Sequence, residues 1–357
     1  WHWLLLAFYR YFYSNITLSS GLLIFTATFV LSYLSYRFVE VPFRYTKKNF
    51  ERVLVDQYLA PSALLVLVIL TSAFTGGYAF RKDRQSFLKP YENARLLLQR
   101  ASLYDYVCME PLIKENIISD PGCVLGPEAD EPAKILLWGD SNAAHYTGMI
   151  GIFAERSSFR FRNVTIGACP PLLSDPTDYV QAQLADDCTN SQPVIKKAIE
   201  EHDILIIAAS WLGYKRNSDA FMQVFYETAY ELIRKGKKII LIGKAPSLDA
   251  YDRLCYKKKL RAPFLNCKNQ PYPISADVKE VNRELREFAR STEGIEYVNF
   301  NEYVCPGGVC YAYEDNGLAL YYDAGHIDIE ASWRIGHRIV IAEGVPYPFS
   351  EIKGWID

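Results

Sequence analysis

Ser141, Asp323 and His326 are the residues of this chain whose types and spacing best suit covalent chemistry. Residues 134–145 read Lys-Ile-Leu-Leu-Trp-Gly-Asp-Ser-Asn-Ala-Ala-His, a pattern that predicts a buried strand, a turn and a helix with Ser141 at its start. A hydroxyl placed there lies beside backbone N–H groups without intrahelical acceptors, and such groups stabilise the oxyanion formed when an ester carbonyl is attacked. Asp and Ser are also ordinary helix caps, so this turn alone does not define a nucleophile. The second signal is Tyr321-Tyr-Asp-Ala-Gly-His326 near the C-terminus. A spacing of three lets the Asp323 carboxylate hold the tautomer of His326 and leaves the other ring nitrogen to deprotonate a serine. Of the five histidines, His2 lies at the membrane end and His202 precedes a strand. His145 and His337 fall at helical positions where packing or surface roles are expected, which leaves His326 as the base. Asp140 is expected to bond its own turn, and Asp328 is the weaker rival to Asp323.

The elements that must position these residues are short aliphatic runs at 134–138, 161–166, 204–208, 238–242 and 295–300, separated by helical stretches at 192–201, 220–235 and 277–290. In the last of these, Val278, Val281, Leu285 and Phe288 recur at spacings of three and four. Strands alternating with helices predict an α/β fold with a mostly parallel sheet covered on both faces. Ligands of such sheets bind beyond the carboxyl ends of the strands. Residues 81–133 read as a connecting module that begins basic, holds a helix over 92–103 and ends in Pro- and Gly-containing turns.

The N-terminal part has another character. Residues 11–36 and 57–80 carry no charge, and each run exceeds the ~20 apolar residues that cross a bilayer. The apolar stretch 3–9 reads as the end of a preceding hydrophobic helix, so the chain is expected to continue a longer membrane protein. Arg37, Arg44, Lys47, Lys48 and Arg52 lie between the two runs, and short basic loops stay cytoplasmic; the weaker cluster Arg81, Lys82 and Arg84 dilutes this asymmetry. All eight cysteines follow the last hydrophobic run. Their even number suggests disulfides in an oxidising compartment, and nearest-neighbour pairing joins Cys108 to Cys123, Cys169 to Cys188, Cys255 to Cys267 and Cys305 to Cys310. That is one of about 105 connectivities. A net charge of -2 without a basic stripe in the C-terminal part argues against nucleic acid as a partner, and the cysteine spacings do not suit zinc.

Gly139-Asp-Ser-Asn and Asp323-Ala-Gly-His resemble the first and last sequence blocks of the SGNH, or GDSL-type, esterases and acyltransferases. Thr165-Ile-Gly-Ala-Cys-Pro-Pro-Leu172 resembles the second block of SGNH domains fused to membrane acyltransferases, and Tyr36-Arg-Phe-Val-Glu-Val-Pro-Phe-Arg44 resembles the segment after the last core helix of acyltransferase family 3 proteins. The resemblance implies an SGNH-hydrolase-like three-layer sandwich over 134–357, preceded by the end of a membrane acyltransferase domain (1–56), a transmembrane helix (57–80) and an extracytoplasmic extension (81–133). It implies Ser141 as nucleophile, Asp323 and His326 as its relay, and Gly167 as an oxyanion donor through its backbone N–H. Many members add an Asn in a third block, but this chain has Ala208-Ala-Ser-Trp-Leu-Gly213 there; Ser210, the Trp211 backbone or Asn142 are the alternatives.

The implied activity is transfer of an acyl group, most simply acetyl, to a hydroxyl of a cell-envelope glycan such as lipopolysaccharide O-antigen. The domain itself would need no cofactor or metal, its acyl donor deriving from acetyl-CoA through the membrane domain. The implied setting is a bacterial inner membrane, with membrane lipid and the chain's own membrane acyltransferase domain as partners and the SGNH domain in the periplasm. A glycan O-acetyl esterase and an inactive glycan-binding scaffold are the competing expectations. The tyrosines over 311–322 are expected in the core before they are expected to stack on a sugar.

Overall fold

The computed structural model describes residues 1–13, 16–45, 47, 49–74, 100–259, 265, 267 and 269–356. They fall into two compact units, one from Trp1–Ala94 and Leu254–Cys267, the other from Arg95–Arg253 and Lys268–Asp357.

The first unit is helical. Helix α1 (His2–Phe12) is separate from α2 (Leu18–Ser35), so the uncharged run 11–36 is not one continuous helix. The break follows from Thr17, whose hydroxyl accepts from the Ser20 N–H while Ser20 answers on the Thr17 N–H, a reciprocal cap that starts a new helix. The helix runs on to Arg44, and a second one spans Phe50–Phe74, beginning seven residues before the expected 57; both are long and apolar enough to cross a membrane. Their apolar side chains are exposed along most of their length, as lipid-facing surfaces are. Residues 75–99, with Arg81, Lys82, Arg84 and most of the expected helix over 92–103, lie outside the described residues; Ala101–Leu103 is a 3₁₀ turn.

The second unit is built on a seven-stranded sheet. Its strands are β1 (Met109–Glu110), β2 (Val124–Leu125), β3 (Ile135–Gly139), β4 (Phe161–Ile166), β5 (Ile204–Ala208), β6 (Lys238–Ile242) and β8 (Ile295–Val298), in the order β1-β4-β3-β5-β6-β8 with β2 paired to β4. Every pairing is parallel except β2 with β4. A separate antiparallel pair joins β7 (Tyr272–Pro273) to β9 (Val309–Cys310). Strands β1 and β2, which precede the expected boundary at 134, pair with β4 in the same sheet. Each is two residues long, too short to carry a periodic signal.

Three layers follow from side-chain alternation along the central strands. Ile135 and Leu137 face a core with Met149, Phe153, Phe300 and Ile335, whereas Leu136 and Trp138 face one with Ile199, Phe225, Leu232 and Leu285. Helices α3 (Ser141–Ala144), α4 (Thr147–Ser157) and α10 (Ile329–Glu343) cover the first face. The second face is covered by α5 (Ala182–Glu201), α7 (Phe221–Arg234) and α9 (Ala276–Arg290), with the short α6 (Trp211–Asn217) between; the small α8 (Cys255–Lys259) belongs to the first unit. Helix α5 starts ten residues before the expected 192. Its first half offers only Cys188 and Ser191 to the interior, which leaves no apolar stripe to read.

Two features at the carboxyl end of the sheet fix the backbone there. Gly139 ends β3 with φ +153, and a Cβ on it would lie 1.9 Å from the Ala208 carbonyl oxygen, so β3 and β5 approach there as only glycine allows. Just beyond β6, the backbone of Lys244 is clamped by two asparagines. Its N–H donates to Asn282 Oδ1 at 2.6 Å, and its carbonyl accepts from Asn282 Nδ2 at 3.0 Å and Asn301 Nδ2 at 3.1 Å. The side chain is buried, with Nζ donating to the Ala245 carbonyl at 2.9 Å. Burial pushes the Lys244 ammonium down to about 8, against the opposing pull of Asp140 and Asp323.

Two outcomes are expected. Gly139→Ala should lose about 3 kcal/mol or more of unfolding free energy in denaturant titration, since the clash is with backbone rather than a yielding side chain; a loss under about 1 kcal/mol would contradict the close approach. For Lys244 the unfolded chain binds the proton more tightly than the folded one. The penalty is complete below pH 8 and disappears as pH rises toward 10.5, so stability rises through that window. At about 1.4 kcal/mol per pH unit, the stability of Lys244→Met relative to the native protein should fall by on the order of 3 kcal/mol from pH 8 to 10.5. Parallel pH–stability curves would contradict this.

Candidate active site

Ser141, Asp323 and His326 come together although 185 residues separate the first from the last. Ser141 Oγ lies 2.8 Å from His326 Nε2, and His326 Nδ1 lies 2.8 Å from Asp323 Oδ1. The same carboxylate oxygen accepts the backbone N–H groups of Gly325 at 2.9 Å and His326 at 3.0 Å, so the acid shapes the loop that presents its own partner. Burial works to raise the Asp323 pKa, but the bond and charge of His326 and the two N–H groups outweigh it and hold the carboxyl below its ordinary value. An ionised Asp323 favours the tautomer with hydrogen on Nδ1, leaving Nε2 to accept the Ser141 proton. Asp328 has a different task. Its side chain accepts from the N–H groups of Glu330 and Ala331 and caps α10.

Asp140 holds the serine turn. Its Oδ1 accepts the Asn142 N–H at 2.7 Å, and Oδ2 accepts the Ser210 N–H at 2.9 Å and the Tyr214 hydroxyl at 2.8 Å. Burial first and Asp140 second push the Tyr214 phenol well above its ordinary value, so it remains a donor. The buried carboxylate thus bonds its own turn and also ties the β3 exit to α6.

The expected oxyanion donors differ in their surroundings. Gly167 reaches the cavity above Ser141, but its N–H donates to the Glu110 carbonyl at 3.2 Å as part of the β1–β4 ladder. Ser210 gives its N–H to Asp140, and Asn142 is buried with its Oδ1 unpartnered; neither lines the cavity. The Trp211 indole is directed to the Ile242 carbonyl.

That cavity has a volume of about 600 Å³ and contains Ser141, Asp323 and His326 in its wall, with Met109, Pro111 and Leu184 as apolar neighbours. Tyr322 stands at it with the Arg253 guanidinium 4.8 Å above its ring, whereas Tyr313 and Tyr321 are buried in the core. His145, expected only to pack or face solvent, also lines it. Its ring meets His326 edge-on at 6.2 Å, and both its nitrogens are buried without a partner. Burial first, then the charges of His326 and Lys244, keep its pKa well below the ordinary value, so His145 is neutral. Its spacing of four from Ser141 puts both on one helical face, a signal the sequence carried. Among the described residues no three His, Cys, Asp or Glu side chains form a metal-ligating group.

The eight cysteines form the pairs Cys108–Cys123, Cys169–Cys188, Cys255–Cys267 and Cys305–Cys310. The second ties the turn after β4, on the cavity wall, to α5.

No curated protein sequence matches this chain. Among solved structures, the periplasmic domain of a lipopolysaccharide acetyltransferase from Salmonella ser. Paratyphi A is similar at 18% identity and TM-score 0.46, covering 73% of this chain and 97% of that one. A putative platelet activating factor from Streptococcus pneumonia is similar at 12% identity and TM-score 0.32, covering 72% of this chain and 98% of the other. The salicylyl-acyltransferase SsfX3 of a tetracycline biosynthetic pathway is similar at 15% identity and TM-score 0.31, covering 62% of this chain and 58% of the other. Residues 108–340 match the family described as SGNH domain (fused to AT3 domains). With two N-terminal helices able to span a bilayer and a parallel-sheet domain behind them, the chain belongs to the SGNH domain family that occurs fused to AT3 domains.

Proposed function

We propose that this domain transfers an acyl group, acetyl in the simplest case, to a hydroxyl of a cell-envelope glycan through an acyl-Ser141 intermediate. The observation that carries the reading is the unbroken relay Ser141–His326–Asp323, with both contacts at 2.8 Å in the wall of an open cavity. In the first half-reaction, Ser141 Oγ bonds to the carbonyl carbon of the donor while His326 Nε2 takes its proton. Collapse breaks the bond to the donor oxygen, which leaves with that proton. In the second, the same nitrogen deprotonates the acceptor hydroxyl, whose oxygen bonds to the acyl carbon; the bond to Ser141 Oγ then breaks and His326 returns the proton to that oxygen.

Transfer is favoured over hydrolysis by the domain's family, which is fused to AT3 domains, and by helices that attach it to a membrane. The resident membrane domain would deliver acyl groups derived from acetyl-CoA. Four disulfides in the part after the membrane helices suit an oxidising compartment, so the catalytic unit is assigned to the periplasmic face of an inner membrane, where a glycan such as O-antigen is the acceptor.

In cells that make the protein with its membrane domain, Ser141→Ala and His326→Ala should each reduce glycan O-acylation to background, the loss of a triad member typically costing on the order of 10⁴-fold or more. Acylation measured by NMR of the purified glycan and unchanged in both variants would overturn the mechanism. A rise in acylation would instead mark the domain as an esterase.

A further inference from the structure

Among the described residues, His145 is the one polar side chain of the cavity wall that is itself buried, with 1% of its surface exposed. Ser141, Asp323 and His326 are partly exposed in the same wall and are committed to one another. Neither ring nitrogen of His145 has a partner among the described residues. A neutral imidazole carries one N–H donor and one acceptor nitrogen, and burying both unmade has a cost that a phenyl or leucyl side chain would not bear. Burial first, and then the charges of His326 and Lys244, oppose protonation of the ring, so it keeps one donor and one acceptor.

The ring is firmly placed. The His145 N–H donates to the Ser141 carbonyl at 3.2 Å, and the imidazole meets Tyr146 edge-on at 4.3 Å and His326 edge-on at 6.2 Å. Tyr146 is anchored in turn by its hydroxyl, which donates to the Gly243 carbonyl at 3.3 Å. The His145 nitrogens are shut off from bulk water, so a partner reaches them through the cavity.

The relay alone leaves one requirement of a transferase unmet. Acyl-Ser141 can pass its acyl group to water or to a sugar, and His326 deprotonates either. Favouring the sugar needs a contact in the transition state that water does not make. A hydroxyl both donates and accepts, which suits an imidazole with one nitrogen of each kind. Neighbouring hydroxyls of one sugar ring can engage two groups at once, one lying on His326 Nε2 and the next on His145.

We propose that His145 is an acceptor-binding residue whose ring nitrogens take the sugar hydroxyl next to the one that is acylated. The inference rests on the acyl transfer proposed above and adds what sets the sugar apart from water. No covalent bond changes at His145, and the acceptor proton still passes to His326 Nε2.

The test uses cells that make the protein with its membrane domain and reads two quantities: glycan O-acylation by NMR, and the fraction of Ser141 that carries an acyl group by peptide mass spectrometry. His145→Phe keeps a planar ring without nitrogens. It should lower glycan acylation about tenfold, as the loss of one polar contact in the transition state does, while acyl-Ser141 stays at or above its native level because the first half-reaction is spared. His145→Gln retains a donor and an acceptor and should hold glycan acylation within about threefold of native. A merely structural role would drain both readouts together in His145→Phe, and that result would overturn the proposal. Glycan acylation in His145→Phe within about threefold of native would overturn it as well. Should His145→Phe fail to accumulate in the membrane, His145→Leu is read in the same way. Glycan acylation that persists in Ser141→Ala refutes the proposed function itself, independently of any His145 variant, and this inference falls with it.

Discussion

The geometry of the site depends on how closely two helices lie against each other. Helix α4 follows the serine turn, and α10 follows the loop carrying Asp323 and His326; they meet through Trp333, whose indole lies on Gly148 and Gly151. A Cβ on Gly148 would come within 2.7 Å of that ring, and one on Gly151 within 2.5 Å. The reverse contact is equally tight, since a Cβ on Gly336 would lie 3.0 Å from the Met149 backbone. Ser332 adds a polar lock by accepting the Met149 N–H at 3.0 Å. Interiors packed at crystal-like density transmit small displacements, so this contact brings a serine and a histidine 185 residues apart into hydrogen-bond reach.

Charge is arranged around that contact with little waste. Asp140 and Asp323 are carboxylates of different function: the first is buried and spent on structure, the second half-exposed and spent on the base. Lys244 is the buried cation whose field reaches both, and His145 lies against His326 as a neutral ring. A second charge beside the base would oppose its protonation during catalysis. Burial prevents that here by keeping His145 uncharged.

What was legible in the sequence was local or periodic. The strand, turn and helix around Ser141 and the three-residue spacing of Asp323 and His326 are short-range patterns, and the short aliphatic runs separated by helical stretches predicted a sheet covered on both faces. What was hidden depended on distant partners. Nothing near Asp140 announced that its second oxygen would be satisfied by Ser210 and Tyr214, 70 and 74 residues away. Strands β1 and β2 were too short to read, and β1 is what engages the Gly167 N–H. Alanine seldom adopts a left-handed backbone, so the positive φ of Ala168 gave no signal. Lys244 and His145 are polar residues whose burial is decided by tertiary packing alone.

Everything proposed for the site requires Ser141 to be an activated nucleophile rather than a helix cap with a histidine nearby. Its most direct test is reaction of the folded chain with a fluorophosphonate, with the adduct located by peptide mass spectrometry. A single adduct is expected on Ser141, absent from Ser141→Ala and formed at least about 10²-fold more slowly in His326→Ala, the range typical of general-base assistance. Folded protein that remains unlabelled, or that labels at the same rate without His326, would contradict it.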